Sequence, residues 1–151
     1  MAEQRTRFVG TYEHGLDDKG RMVLPSKIRA QLGETGMVAM ADGCLGLWTI
    51  DGFDGISDQL AAKVDADEAT MRALRLFTAF AAEVTPDQQG RVVIPQRLRE
   101  YAGLGSEVVV NGRRDRAEIW AKDRWDSLAR DDGDAAQADA DVGATFAALR
   151  L

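Results

Sequence analysis

Short apolar or β-branched runs, nearly all closed by glycine, proline or an acidic turn, recur along the first 126 residues. "GMVAM" (36–40), "LGLWTI" (45–50), "EVVVNG" (107–112) and "AEIWA" (117–121) predict strands, with "ADG" and "NG" as turn signals. "FVGTYEHGL" (8–16) predicts another strand, and "AFAAEVTP" (79–86) the end of a helix running into a short strand. "RMVLP" (21–25) and "RVVIP" (91–95) are strand-like runs ended by a proline, which cannot continue a central ladder. In "SKIRAQLG" and "QRLREYAG" the pairs Ile28/Leu32 and Leu98/Ala102 share a face at i, i+4. A glycine closes each, so both predict short helices. Phe53, Ile56, Leu60 and Val64 follow helical spacing, and "DADEATMRALRLFTAFAAEV" opens with acidic residues suited to a helix N-terminus. Met71, Leu74, Leu76, Phe77 and Phe80 cover more than half of that helix, more than so small a domain can bury, which predicts a subunit contact.

The pattern repeats. Aligning Gly20 with Gly90 pairs Asp17 with Asp87, Arg21 with Arg91, Leu24 with Ile94 and Pro25 with Pro95. The match continues through Lys27/Arg97, Ile28/Leu98 and Arg29/Arg99, then with a two-residue shift through Trp48/Trp120 and Phe53/Trp125. Two copies are too few for a solenoid, which needs about three, so the chain reads as a duplicated module whose halves face each other. Gly20 and Gly90 sit where a tight hairpin turn needs positive φ. The expected organisation is a first unit at 7–54, inter-repeat helices at 55–82 that join subunits, a second unit at 83–126, and an acidic, mobile tail at 131–151, in which "ATFAALRL" could dock by its apolar face.

Composition excludes more than it selects. One cysteine (Cys44) and one histidine (His14) rule out an internal disulfide and argue against a zinc site or Cys–His chemistry. No cofactor, membrane span or small-molecule substrate is expected, and a cytoplasmic protein without enzymatic activity is the default. The net charge of −6 speaks against nucleic acid until its distribution is considered. Asp131, Asp132, Asp134, Asp139 and Asp141 stand against Arg150 alone in the tail. Around the turns, Lys19, Arg21, Lys27 and Arg29 outnumber Asp17 and Asp18, and Arg91, Arg97 and Arg99 outnumber Asp87. Asp17 and Asp87 are expected to stabilise the turns by accepting backbone N–H groups. Arg21 and Arg91 are expected to be the functional members, because a guanidinium fork suits phosphate oxygens and the guanine edge. Lys27 and Arg97 are favoured as contacts over Arg29 and Arg99. Trp48, Trp120 and Trp125 are expected in the core. "NGRRDR", with Arg113, Arg114 and Arg116, reads as a basic turn. A hydrolase built on Asp17 and Asp87 lacks any recurring base or oxyanion partner.

"FVGTYEHGLDDKGRMVLPSKIR" and "DQQGRVVIPQRLREYAGL" closely resemble the two repeats of the MraZ family of bacterial transcriptional regulators, of the SpoVT-AbrB class of swapped-hairpin DNA-binding modules. The resemblance implies an α+β, mainly β fold: a pseudo-symmetric, AbrB-like β-barrel made by two tandem repeats, with helices joining subunits into a ring. It implies double-stranded DNA as partner, in the form of directly repeated operator elements upstream of the division and cell-wall gene cluster, usually repressed, and a nucleoid-associated homo-oligomer. It carries the DNA-contact role onto Arg21 and Arg91, and less directly onto Lys19 and Lys27, since Gln88 and Gln89 stand where the first repeat has Asp18 and Lys19. An AbrB-type interaction or antitoxin-like module is the alternative.

Overall fold

The computed structural model describes residues 6–63, 65, 67–128 and 135–150. Its first half runs β1 (Thr11–Gly15), β2 (Arg21–Val23), α1 (Ser26–Leu32), β3 (Gly36–Met40) and β4 (Leu45–Thr49). Two helices follow, α2 (Ile50–Lys63) and α3 (Glu68–Phe80). The second half repeats the order with β5 (Ala82–Val84), β6 (Arg91–Val93), α4 (Gln96–Ala102), β7 (Glu107–Gly112), β8 (Ala117–Ala121) and α5 (Lys122–Leu128), before a final helix α6 (Ala135–Ala148). Val64, Asp131, Asp132 and Asp134 lie outside the described residues.

Six strands form one antiparallel sheet in the order β1-β7-β8-β4-β3-β5, and β2 pairs with β6 as a separate two-stranded ribbon. The order is symmetric about the β8–β4 seam. Each half of the sheet is a hairpin of one repeat extended by the opening strand of the other: β1 joins β7–β8, and β5 joins β4–β3. Among the described strands no pairing links β1 to β5, so the sheet runs open from edge to edge and the expected closed barrel is not found. The flanks of the two glycine turns also differ from expectation. β1 and β2 build no ladder with each other; both find partners in the second repeat. Alternation of buried and exposed residues tells which face of a strand goes inward, but not which strand lies alongside.

Both sheet faces are covered, which is why "VVV" and "LGLW" read as continuous apolar runs rather than alternating ones. Val108 and Val110 enter the larger core with Leu45, Leu47 and Ile119, beneath the ribbon's Met22, Leu24, Val92 and Ile94 and the helix residues Ile28 and Leu98. Val109, one residue out of phase, packs with Trp120 and Cys44 on the opposite face. There the duplication returns in three dimensions. Trp48 meets Phe53 edge-on at 6.3 Å, and Trp120 meets Trp125 at the same 6.3 Å between centroids. Phe77 of α3 completes the first cluster, stacking on Phe53 at 5.0 Å.

"NG" is not a turn. Asn111 and Gly112 end β7, and the chain reverses over Arg113–Arg116, closed by the Arg113 N–H donating to the Arg116 carbonyl at 2.8 Å. Gly112 is required by close approach instead. A Cβ there would collide with the backbone of Phe8 and Val9, whose segment is held by the Gly112 N–H donating to Gly10 and by the Phe8–Arg114 bridge.

α3 starts as its acidic opening predicts, with the Asp67 carboxylate accepting the Thr70 N–H at 2.6 Å. Of its apolar residues only Phe77 is buried, while Met71 and Phe80 stay exposed. One more repeat emerges in the sequence: "ATFAALRL" at 144–151, which begins inside α6, matches "ATMRALRL" at 69–76 of α3 in six of eight positions. Phe77 is the main buried anchor of α3 on the sheet. Phe77→Ala is therefore expected to destabilise the protein by about 3–5 kcal/mol, read from urea denaturation; a loss below about 1 kcal/mol would show that α3 is held by other means.

Candidate nucleic-acid interface

The candidate site is the outer face of the β2–β6 ribbon. The register sets Arg21 beside Val93, Met22 beside Val92 and Val23 beside Arg91. Met22 and Val92 face the core, so the side chains of Arg21, Val23, Arg91 and Val93 share the exposed face. The two arginines thus stand at opposite corners of a small rectangle, with the exposed valines at the other two. The ladder extends by one bond at each end: the Leu24 N–H donates to the Gly90 carbonyl at 2.9 Å and the Ile94 N–H to the Gly20 carbonyl at 2.7 Å.

Each arginine is presented by its own turn. In the first, the Gly20 N–H donates to the Asp17 carbonyl at 3.0 Å, and Gly20 adopts φ +80°. One Asp17 carboxylate oxygen accepts the N–H groups of Lys19 at 3.0 Å and Arg21 at 2.8 Å; the other accepts Nε of Arg21 at 2.8 Å. The second turn repeats every bond. Asp87 accepts the N–H groups of Gln89 and Arg91 and the Nε of Arg91, each at 2.9 Å, and Gly90 has the same φ of +80°. Lys19 and Gln89 contribute only their backbone N–H to this network, so the change of side chain between repeats leaves the turn intact. The ion pair engages Arg21 and Arg91 through Nε. The four N–H groups on each pair of terminal nitrogens are the ones suited to a bidentate acceptor.

The remaining expected contacts are less uniform. Lys19 and Lys27 are exposed, Lys27 in the first turn of α1 just beyond the ribbon. Arg97 lies over the ring of Phe80, 4.9 Å from its centroid, and so joins α4 to α3. Arg116 lies over Trp48 at 5.3 Å, while Arg113 and Arg114 are exposed on their turn. Trp48 and Trp120 are buried and Trp125 half-buried. Burial, with Glu118 close by, pushes the Cys44 thiol up to about 12, which leaves it un-ionised and unreactive. Asp17 and Asp87 are each committed to their own turn. Two features escaped the sequence reading: the outward valines, and the half-buried Arg29 and Arg99, which lie against the turn glycines of the opposite repeats. The doubled glycine was the signal for the second.

Hydrogen bonds from the Arg21 and Arg91 backbone and side chains hold Asp17 and Asp87 below the ordinary aspartate range. A lowered folded-state value means that the turns' contribution is complete above the unfolded value of about 3.9 and drains as pH falls through the folded one. Carboxyl-carbon NMR titration should place both below that range, and Asp17→Asn should remove the acid-side loosening of the first turn only. Ordinary titration of either would contradict the bond network.

The family model described as "MraZ protein, putative antitoxin-like" matches the chain twice, at 7–76 and 77–145. A protein of Bifidobacterium longum named transcriptional regulator MraZ is 46% identical over 130 residues, 84% of this chain and 85% of that protein. Its namesake in Acetivibrio thermocellus is 39% identical over 131 residues, 86% of this chain and 92% of the relative. That of Salinispora tropica is 43% identical over 123 residues, covering 80% and 85%. With both repeats matched and relatives spanning most of its length, the chain belongs to the MraZ family.

Proposed function

We infer that this protein is a sequence-specific DNA-binding transcriptional regulator without enzymatic activity, and that the β2–β6 ribbon is its reading element. The observation that carries this is the pair of arginines fixed at opposite corners of one exposed two-stranded ribbon. Such a ribbon fits the major groove, where a guanidinium can meet O6 and N7 of guanine or span a phosphate. Arg21 and Arg91 take the central contacts, and Lys19, Lys27 and Arg97 flank them. The names of the relatives support the regulatory role. The targets are directly repeated operator elements upstream of the division and cell-wall genes, including the protein's own promoter, which it represses in the nucleoid. We read the strands exchanged between repeats as the swapped-hairpin plan, with 55–82 as the subunit-joining segment.

One ribbon offers few phosphate contacts, so a single copy binds weakly. A head-to-tail ring presents many ribbons, and linked engagement of successive operator repeats raises apparent affinity by about 100-fold or more. The exposed Met71 and Phe80 of α3 support such a ring. So does α6, which leaves Val142 and Phe146 exposed, with Leu149 exposed just past its end. We take the two helices as equivalent contact elements between copies.

In gel-shift titrations on the protein's own promoter, Arg21→Ala with Arg91→Ala should weaken binding by more than about tenfold, and wild-type affinity should fall steeply with salt. A smaller loss removes those arginines from the site. A stable complex with another protein and no DNA affinity would favour the antitoxin-like module. By light scattering, Met71→Asp with Phe80→Asp and Phe146→Asp with Leu149→Asp should each reduce the oligomer. Unchanged mass in the second variant would take α6 out of the ring.

A further inference from the structure

Each turn glycine is enclosed by the opposite half of the chain. A Cβ on Gly20 would lie 2.6 Å from the Ile94 carbonyl oxygen and 2.8 Å from Nε of Arg99. A Cβ on Gly90 would run into Nη1 of Arg29. The first-repeat turn that carries Arg21 therefore packs under an arginine of α4, and the second-repeat turn that carries Arg91 packs under the matching arginine of α1. Arg99 is anchored in place, its Nε donating to the Ile94 carbonyl at 2.9 Å. That carbonyl belongs to the residue whose N–H donates to Gly20. Arg29 and Arg99 are both half-buried, unlike Lys27 and Arg97 one turn-face away.

A solvated helix charge would not be enclosed in this way: Arg99 lies against the Gly20 turn with its Nε on the Ile94 carbonyl, and Arg29 lies against the Gly90 turn. Resting on the DNA-binding reading above, we propose that Arg99 and Arg29 are positioning residues that act across the repeats. Arg99 holds the Gly20 turn and so aims Arg21; Arg29 holds the Gly90 turn and so aims Arg91. Each reader is then built by both halves of the chain, and neither half presents its own arginine unaided.

The crossing gives the test a signature that general loss of stability lacks. In the full-length protein, Arg99→Ala should weaken promoter binding about fivefold, a coupling typical of residues in one network. It should leave the salt slope unchanged, because no phosphate contact goes with it. In an Arg21→Ala background the same change should add less than about twofold, and in an Arg91→Ala background the full fivefold. Arg29→Ala should show the mirror pattern. Equal losses in both backgrounds, or coupling within a repeat (99 with 91, 29 with 21), would overturn the proposal. Arg99→Met keeps the aliphatic stem if the alanine variant folds poorly. A second arm needs no DNA: amide hydrogen exchange should speed up at 18–21 in Arg99→Met and stay unchanged at 88–91. Unchanged exchange at 18–21 defeats the brace whatever the DNA titrations give. Faster exchange there, with DNA binding indifferent even to Arg21→Ala and Arg91→Ala, defeats the DNA-binding reading and the positioning role with it.

Discussion

The two bonds in which Leu24 donates to Gly90 and Ile94 donates to Gly20 hold the β2–β6 ribbon together at both ends. β2 and β6 are three residues each, too short to stand as independent strands. They persist because each completes the other's ladder, and because Met22, Leu24, Val92 and Ile94 seat the pair on a core shared by both repeats. The glycines serve two ends at once. Their carbonyls receive the last bonds of the ladder, and their missing side chains leave room for the arginine that crosses from the other half. A unit cut from this chain would lack the partner strand, the opposing carbonyl and that arginine together.

Within each turn the labour divides by reach. An aspartate is short, so its carboxylate closes on the N–H groups two and four residues ahead and on the guanidinium Nε above them. The arginine is long, and anchoring it at Nε fixes the direction of the stem while the terminal nitrogens remain free to form a fork. The identical bond pattern at Asp87, despite Gln88 and Gln89, separates what the turn requires from what it tolerates.

Much of this was legible in the residues. Strand and helix identities followed from glycine, proline and i, i+4 pairs, and the pairing of Trp48 with Trp120 and of Phe53 with Trp125 reappears as two matching aromatic contacts. Pairing partners were not legible. A strand such as "RMV" shows by its alternation that Met22 goes inward, yet nothing in three residues specifies β6 rather than β1 as its neighbour. "NG" misled because turn preference and close approach both call for glycine, and at Gly112 the second demand prevails. For the site, the residue types were readable but their grouping was not, since Arg29 and Arg99 sit on helices and meet the turns only through the exchange of strands.

That exchange bears on why the duplication resides in one chain. β1 lies on β7–β8 and β5 on β3–β4, so the sheet has its own pseudo-twofold axis at the β8–β4 seam, and the ribbon is built on the same symmetry. The two edge strands of the sheet, β1 and β5, come one from each repeat and are related by the same axis. Exposed apolar side chains are spread over the ribbon, with Val23 and Val93, over α3, with Met71 and Phe80, and over α6, with Val142 and Phe146. If α3 and α6 both join copies, as we propose, two contact elements on one subunit favour a chain of copies that closes on itself over a single symmetric dimer. Symmetry inside the subunit thus orders the ribbon and the two turns that present Arg21 and Arg91.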